Sequence, residues 1–207
     1  MTCPAGSMAN SAFQYCSAVS DPHKFERSLI VAAPDELTAQ FFRDGEAWYR
    51  LNPEWEVLDL HRDAQAHRLK VRFDRSEQEA EYCRPANTDF SNRGGSIVLE
   101  SSTPRRIEVV LTPQGEGATR IDYRESFGEP LETARLAELN LWLDATAGYL
   151  AFAARTDRKA RLAHWLLDRV WLRMSPTARR VGLLIVGMEA LALLLFIATV
   201  IIYRFFG

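Results

Sequence analysis

The run VGLLIVGMEALALLLFIATVIIY, residues 181–203, constrains this chain more than any other stretch. It holds 23 residues and a single charge, Glu189. At about 1.5 Å per residue, a helix of that length reaches roughly 34 Å, enough for a hydrocarbon core of about 30 Å. A helix apolar on every side must be wrapped by protein or lie in lipid. The sequence therefore predicts a transmembrane anchor over residues 177–204. Its start is marked in MSPTARR, where Ser175 suits an N-cap and Pro176 the first helical turn.

The flanks predict orientation. From residue 155 onward there are nine Lys or Arg, eight of them before the span and only Arg204 after it, against the acids Asp157, Asp168 and Glu189. The tail thus carries +6 while the whole chain is −2, so residues 1–154 hold −8. By the positive-inside rule the N-terminal part is expected in the cytoplasm, with the C-terminus on the far side. An acidic body with a basic, apolar tail argues against a nucleic-acid binder, whose positive charge belongs on the folded domain. Immediately before the span, RKARLAHWLLDRVWLRMS (158–175) interleaves Leu162, Trp165, Leu166, Trp171 and Leu172 with arginines. That pattern predicts an amphipathic juxtamembrane helix over 155–176. Its arginines, with Arg173, Arg179 and Arg180 nearest the span, are candidates for anionic lipid headgroups.

The start of the chain is expected to be a loose leader, residues 1–22, with neither the basic start and apolar run of a secretory signal nor the glycine that myristoylation needs. Cys3, Cys16 and Cys83 are odd in number and carry no Cys-x-x-Cys spacing, as in a reduced compartment without structural disulfides.

Between leader and tail the hydrophobic period is first that of a strand (24–33), then of two short helices opened by Pro34 and stopped by Pro53. Six strand-like segments follow, WEVLDLH, RLKVRFD, EAEYCR, SIVLES, RRIEVVLT and TRIDYRESF, with turn signals such as NRGG and QGEG between them. Leu69, Val71 and Phe73 alternate with basic residues, and Ile107, Val109 and Leu111 repeat the period, as do Ile121, Tyr123 and Phe127. A helix of about 24 residues, 131–154, closes the domain. Leu136, Leu139, Leu143 and Leu150 form its inner face, broadened by Trp142, Tyr149 and Phe152.

This order, and above all the opening FERSLIVAAPDELTAQFFRDGEAWYRLNPEWEVLDL, resembles the START-like helix-grip superfamily, also called SRPBCC. Its members include polyketide cyclases, lipid-transfer domains and ubiquinone-binding chaperones. The resemblance covers about residues 24–154 and rests on order and pattern, without a catalytic motif. It implies an α+β domain over residues 23–154, an antiparallel sheet wrapped around a long C-terminal helix to enclose an elongated apolar cavity. Candidates for its lining are Trp48, Tyr49, Trp55, Phe73, Val109, Tyr123, Glu125, Leu139, Asn140 and Leu143.

Motifs for other chemistry are missing. His23, His61, His67 and His164 are scattered, there is no metal-ligand spacing, and neither a phosphate loop nor a nucleophile elbow occurs. No cofactor is expected. The strand phase of Ile121 and Tyr123 carries Glu125 inward, where it could orient a ligand's polar end or act as acid or base. Alternatively it turns to solvent or pairs with an arginine such as Arg106. Trp48, Tyr49 and Trp55 could gate a pocket or be plain core. Asn140 could meet a ligand or a strand edge.

Two functions follow. One is a membrane-tethered module for a hydrophobic small molecule such as a lipid, quinone or isoprenoid. The other is an accessory subunit of a membrane complex, whose transmembrane partners meet Glu189. A cyclase- or dehydratase-type enzyme is a third and weaker reading, since it needs two inward acid–base groups and only Glu125 and Tyr123 qualify.

Overall fold

The computed structural model describes residues 16–17, 23–64, 66–85, 90–91, 94–101, 105–115 and 117–206. Most of the leader, Cys3 included, lies outside them. Within the leader, Cys16–Ser17 is strand β1 and pairs with Ser28 and Arg27 of the next strand.

The chain then follows the order that its hydrophobic period predicts. Strand β2 (Lys24–Val31) leads into α1 (Asp35–Asp44) and α2 (Glu46–Leu51). The strands β3 (Trp55–Arg62), β4 (Ala66–Phe73), β5 (Glu79–Pro85), β6 (Phe90–Ser91), β7 (Gly94–Ser101), β8 (Arg106–Pro113) and β9 (Thr119–Ser126) come next. All pairings are antiparallel, in the order β1-β2-β9-β8-β7-β5-β4-β3, with the two-residue β6 set against β7. The long helix α3 (Thr133–Ala153) packs inside this curved sheet. The fold is thus α+β, a sheet gripping one long helix.

Local chemistry explains the joints. Pro34 starts α1, with Asp35 and Glu36 in its first turn where the helix dipole favours negative charge. Gly45 ends α1 in the left-handed region at φ 73°, and a Cβ there would come within 2.9 Å of the Tyr49 ring, so glycine is required twice over.

The core is aromatic. Trp142 of α3 stacks on Trp48 at 5.0 Å between ring centroids, tilts against Trp55 at 5.2 Å, and meets the edge of Tyr123 at 5.8 Å. Its indole donates to the Trp48 carbonyl at 2.9 Å. Rings of this size supply much of a small domain's burial and fix its geometry by edge and face.

Beyond α3, the single helix expected over 155–176 is broken. Asp157 caps α4 (Arg158–Arg169), a 3-10 turn covers Trp171–Arg173, and α5 (Pro176–Phe206) begins with the Ser175 hydroxyl capping the Ala178 amide at 3.3 Å. Helix α5 is long and apolar enough to cross a membrane, and its apolar stretch is uncovered by the rest of the molecule. Its first turn, however, is fixed to the domain. Thr177 and Arg180 donate to Asp74 at 2.8 and 2.9 Å, Arg180 also to the Pro53 carbonyl at 3.0 Å, and Arg179 to the Arg50 carbonyl at 2.8 Å. Arg179 and Arg180 are two of the three expected headgroup ligands. Their guanidinium groups are engaged by the domain's own carbonyls and carboxylate, while Arg173 stays exposed.

Candidate functional site

Strand alternation sends three arginines inward where only apolar side chains would be expected. Arg27 shares the phase of Phe25 and Leu29, Arg84 that of Ala80 and Tyr82, and Arg105 that of Ile107 and Val109. Two of them hold helices. Arg84 donates to the carbonyls of Phe42 and Arg43 at 2.6 Å each, at the C-terminal end of α1 where carbonyls lack partners. Arg27 donates to the Asn140 side-chain oxygen at 2.9 Å and to Asp144 at 2.6 Å, fastening α3 to β2. Asn140 is thereby committed to Arg27, and through its amide to the Leu136 carbonyl at 2.9 Å. It serves helix docking, not the interior surface.

The third is different. Arg105 pairs with Glu125, whose side chain is fully buried, and Tyr123 donates to the other Glu125 oxygen at 2.5 Å. Glu125 therefore does point inward, and its partner is Arg105. Arg106 is one residue out of phase and exposed. Around the Arg105 guanidinium stand Trp55 at 5.5 Å, Phe127 at 5.6 Å, Tyr82 at 5.7 Å and Phe73 at 5.9 Å, within the range of cation–π attraction.

Burial opposes the Arg105 charge, but the Glu125 carboxylate, with Tyr82 and Tyr123, outweighs it and holds the guanidinium pKa above its ordinary value. Burial pushes the Tyr82 phenol up to about 12 against the opposing pull of Arg105. Burial, then Glu125, raises Tyr123 well above its usual range. The arrangement keeps a positive charge and two neutral phenols in an apolar interior. Glu125 accepts from both Arg105 and Tyr123, so both of its oxygens are engaged within the cluster.

Three buried polar atoms here make no hydrogen bond of good geometry, Arg105 Nη2, Tyr82 Oη and Trp55 Nε1, although the Arg105 guanidinium and the Tyr82 hydroxyl lie close enough to interact with each other. Buried polar groups are nearly always satisfied, and an orphaned one carries a desolvation cost of about 1–3 kcal/mol. Toward the outside lies a second charged layer. Arg135 of α3 pairs with Glu54 and sits 6.0 Å from the Phe73 ring, and Arg75 bonds Glu138 at 2.9 Å. This end of the grip adjoins the root of α5, since Asp74 and Pro53, which hold Arg180, are the chain neighbours of Phe73 and Glu54.

Of the other sequence candidates, Trp48, Tyr49, Val109, Leu139 and Leu143 are buried core. Trp48 and Tyr49 are covered, so neither stands at a mouth. Trp55, Phe73, Tyr123 and Glu125 are brought together around Arg105. Arg105, Tyr82 and Arg135 were not among the candidates, although Arg105 and Tyr82 fall on inward phases of their strands. Among the described residues no group of three His, Cys, Asp or Glu is placed to hold a metal ion.

No family model matches the chain, and no curated protein does. Solved structures with similar folds include a hypothetical protein from Helicobacter pylori (12% identity, 60% of this chain and 86% of that one, TM-score 0.49). Two others are a START superfamily protein from Mycobacterium smegmatis (18%, 62% and 97%, 0.45) and a STAR-related lipid transfer protein from Xanthomonas axonopodis (11%, 68% and 99%, 0.48).

Proposed function

We propose that this chain is a membrane-tethered module that holds a hydrophobic small molecule, of the lipid, quinone or isoprenoid kind, at the cytoplasmic face. The observation that carries the reading is the set of incompletely satisfied donors around Arg105, inside a wall of Trp55, Phe73, Tyr82 and Phe127. A molecule with an apolar body and a carbonyl, hydroxyl or acidic head would satisfy them while its body stays in apolar surroundings. The position of this end beside the root of α5 supports the same reading, because a ligand of negligible aqueous solubility is best received next to the bilayer. The test is gentle purification of the full chain, followed by organic extraction and mass spectrometry. A single hydrophobic species is expected at near-stoichiometric yield, and depleted in Tyr82→Phe, which removes one donor with little change in packing. If the wild-type chain is empty and takes up no added quinone or phospholipid, the reading fails.

Glu189 favours a second reading. It makes no hydrogen bond or ion pair with the described residues, and lies about 12 Å along the helix from Val181. An ionised acid near mid-bilayer costs roughly 2.5–3.5 kcal/mol on insertion scales. A partner helix bearing a basic or polar group would relieve that cost, making the chain an accessory subunit of a membrane complex. Glu189→Leu should then release co-purifying subunits and leave the domain folded. Unchanged co-purification would remove this reading's support.

A further inference from the structure

We propose that α4 and the turn after it form a second membrane contact, a headgroup site for anionic phospholipid in the same bilayer that α5 crosses. The inference rests on the spanning reading of α5 but not on a ligand inside the grip.

Helix α4 has two unlike faces. Ala160, His164, Leu167 and Asp168 turn toward the domain, whereas Leu162 is 62% exposed, Trp165 56% and Leu166 47%. Val170 and Met174 continue the exposed apolar line toward α5. Basic residues are set among them, and Arg161, Arg169 and Arg173 have no acidic partner among the described residues. The acids are occupied. Asp168 is held inward by the Tyr149 hydroxyl at 2.8 Å and by His164 Nδ1 at 3.1 Å, and Asp157 caps the helix through the Ala160 amide at 3.2 Å. Asp168 still borders this face, but its oxygens already accept from Tyr149 and His164, and the three unpaired arginines outnumber it.

A groove of about 420 Å³ runs between the end of α3 and α4, lined by Arg155, Arg161, Trp165, Arg169 and Arg173 among others, with Asp168 as its one acid. Four guanidinium groups beside an indole suit a phosphate ester with a glycerol and acyl portion better than a bare anion.

The site is continuous with the span. The Trp171 ring lies 3.8 Å from where a Cβ on Gly182 would stand, so an indole flanks the first turn of the apolar run, the depth at which tryptophan settles in membranes. Helix α4 ends two residues before that tryptophan. A mixed face of leucine, tryptophan and arginine in that place matches the headgroup boundary of an anionic bilayer.

The experiment reconstitutes the full chain in phosphatidylcholine vesicles with or without phosphatidylglycerol. Quenching by brominated lipid is compared between wild type and Trp165→Phe, so that the difference reports Trp165 alone. Trp165 is expected to be quenched, and phosphatidylglycerol to be enriched several-fold over the bulk in the lipid retained after mild detergent extraction. The variant Arg161→Gln/Arg169→Gln/Arg173→Gln should lose that enrichment with an unchanged thermal melt. An unquenched Trp165, enrichment that survives the triple variant, or enrichment abolished by inorganic phosphate would each overturn the proposal. Alkaline carbonate separates it from the reading beneath it. A chain stripped off by carbonate sinks the span and this contact together. One that resists carbonate but leaves Trp165 unquenched sinks the contact alone.

Discussion

Two glutamates stand among apolar side chains of their own elements in this molecule, and their settings are opposite. Glu125 is enclosed by the domain and receives a guanidinium and a phenol, both supplied from the chain's own strands. Glu189 stands on an uncovered helix and receives nothing from the described residues. Where the fold buries a carboxylate, it brings the countercharge with it, which is the condition under which an ion can be tolerated away from water. The contrast makes Glu189 informative. Nothing among the described residues completes its environment.

Removing each carboxylate in turn separates the two settings. Glu125→Ala leaves the Arg105 charge buried without a partner and should cost about 3–5 kcal/mol in a chemical denaturation of the detergent-solubilised chain. Glu189→Ala should leave the same curve unmoved. Equal effects would mean that the two sites are not different in kind. The double replacement Arg105→Met/Glu125→Leu refines the point. Swapping a buried ion pair for apolar groups of similar size is often neutral or better, so most of the loss should return. Retained ligand, if any, should be lost in the same variant, separating the pair's role in binding from its role in stability.

A smaller effect tests the electrostatics of the cluster. Tyr82 titrates near 12 in the folded domain and near 10 when unfolded, and Tyr123 is displaced in the same direction. Folded values raised above unfolded ones mean that this stability is whole below pH 10 and is lost as pH rises from there through the folded values. An ultraviolet titration of the phenols should show Tyr82 and Tyr123 ionising later than the exposed tyrosines. Replacing Tyr82 by Phe should flatten the decline in melting temperature above pH 10.

Much of this was legible in the sequence, and the misses have physical reasons. Each of the seven long strands and α3 could be placed because alternation and helical period are strong over eight or more residues. Glu125 could be placed inward by the same phase as Tyr123. Its partner could not be picked, because RR at positions 105 and 106 offers two arginines, and only the phase of Ile107 and Val109 selects the first. Arg27 and Arg84 were overlooked for the same reason, since charged residues on a strand are read as the solvent face. That Thr177, Arg179 and Arg180 also hold the domain was hidden, because nothing in the sequence shows that the β4–β5 turn, with Asp74, folds back beneath them. The break at Val170 was also hidden, as the apolar and basic spacing continues through it without Gly or Pro.

The root of α5 supplies the smallest prediction and bears on how the two glutamates are related. Asp74 receives Thr177 and Arg180, and its side chain is largely covered, while Arg180 is half exposed. An ion pair so placed is worth at most about 1 kcal/mol, so Asp74→Ala should lower the melting point only slightly. Its larger consequence is orientational. In the wild type, the domain is held to α5 through Asp74, Pro53 and Arg50, and Gly182 and Glu189 are one heptad apart. They therefore project in nearly the same direction, about 10 Å apart along the axis. Glu189 thus lies on the side of α5 against which Trp171 packs. Spin labels on the β4–β5 turn and near Gly182 should give a narrow distance distribution in the wild type and a broad one in Asp74→Ala. A distribution that is already broad in the wild type would show that domain and span move independently, and that the two carboxylates answer to separate surroundings.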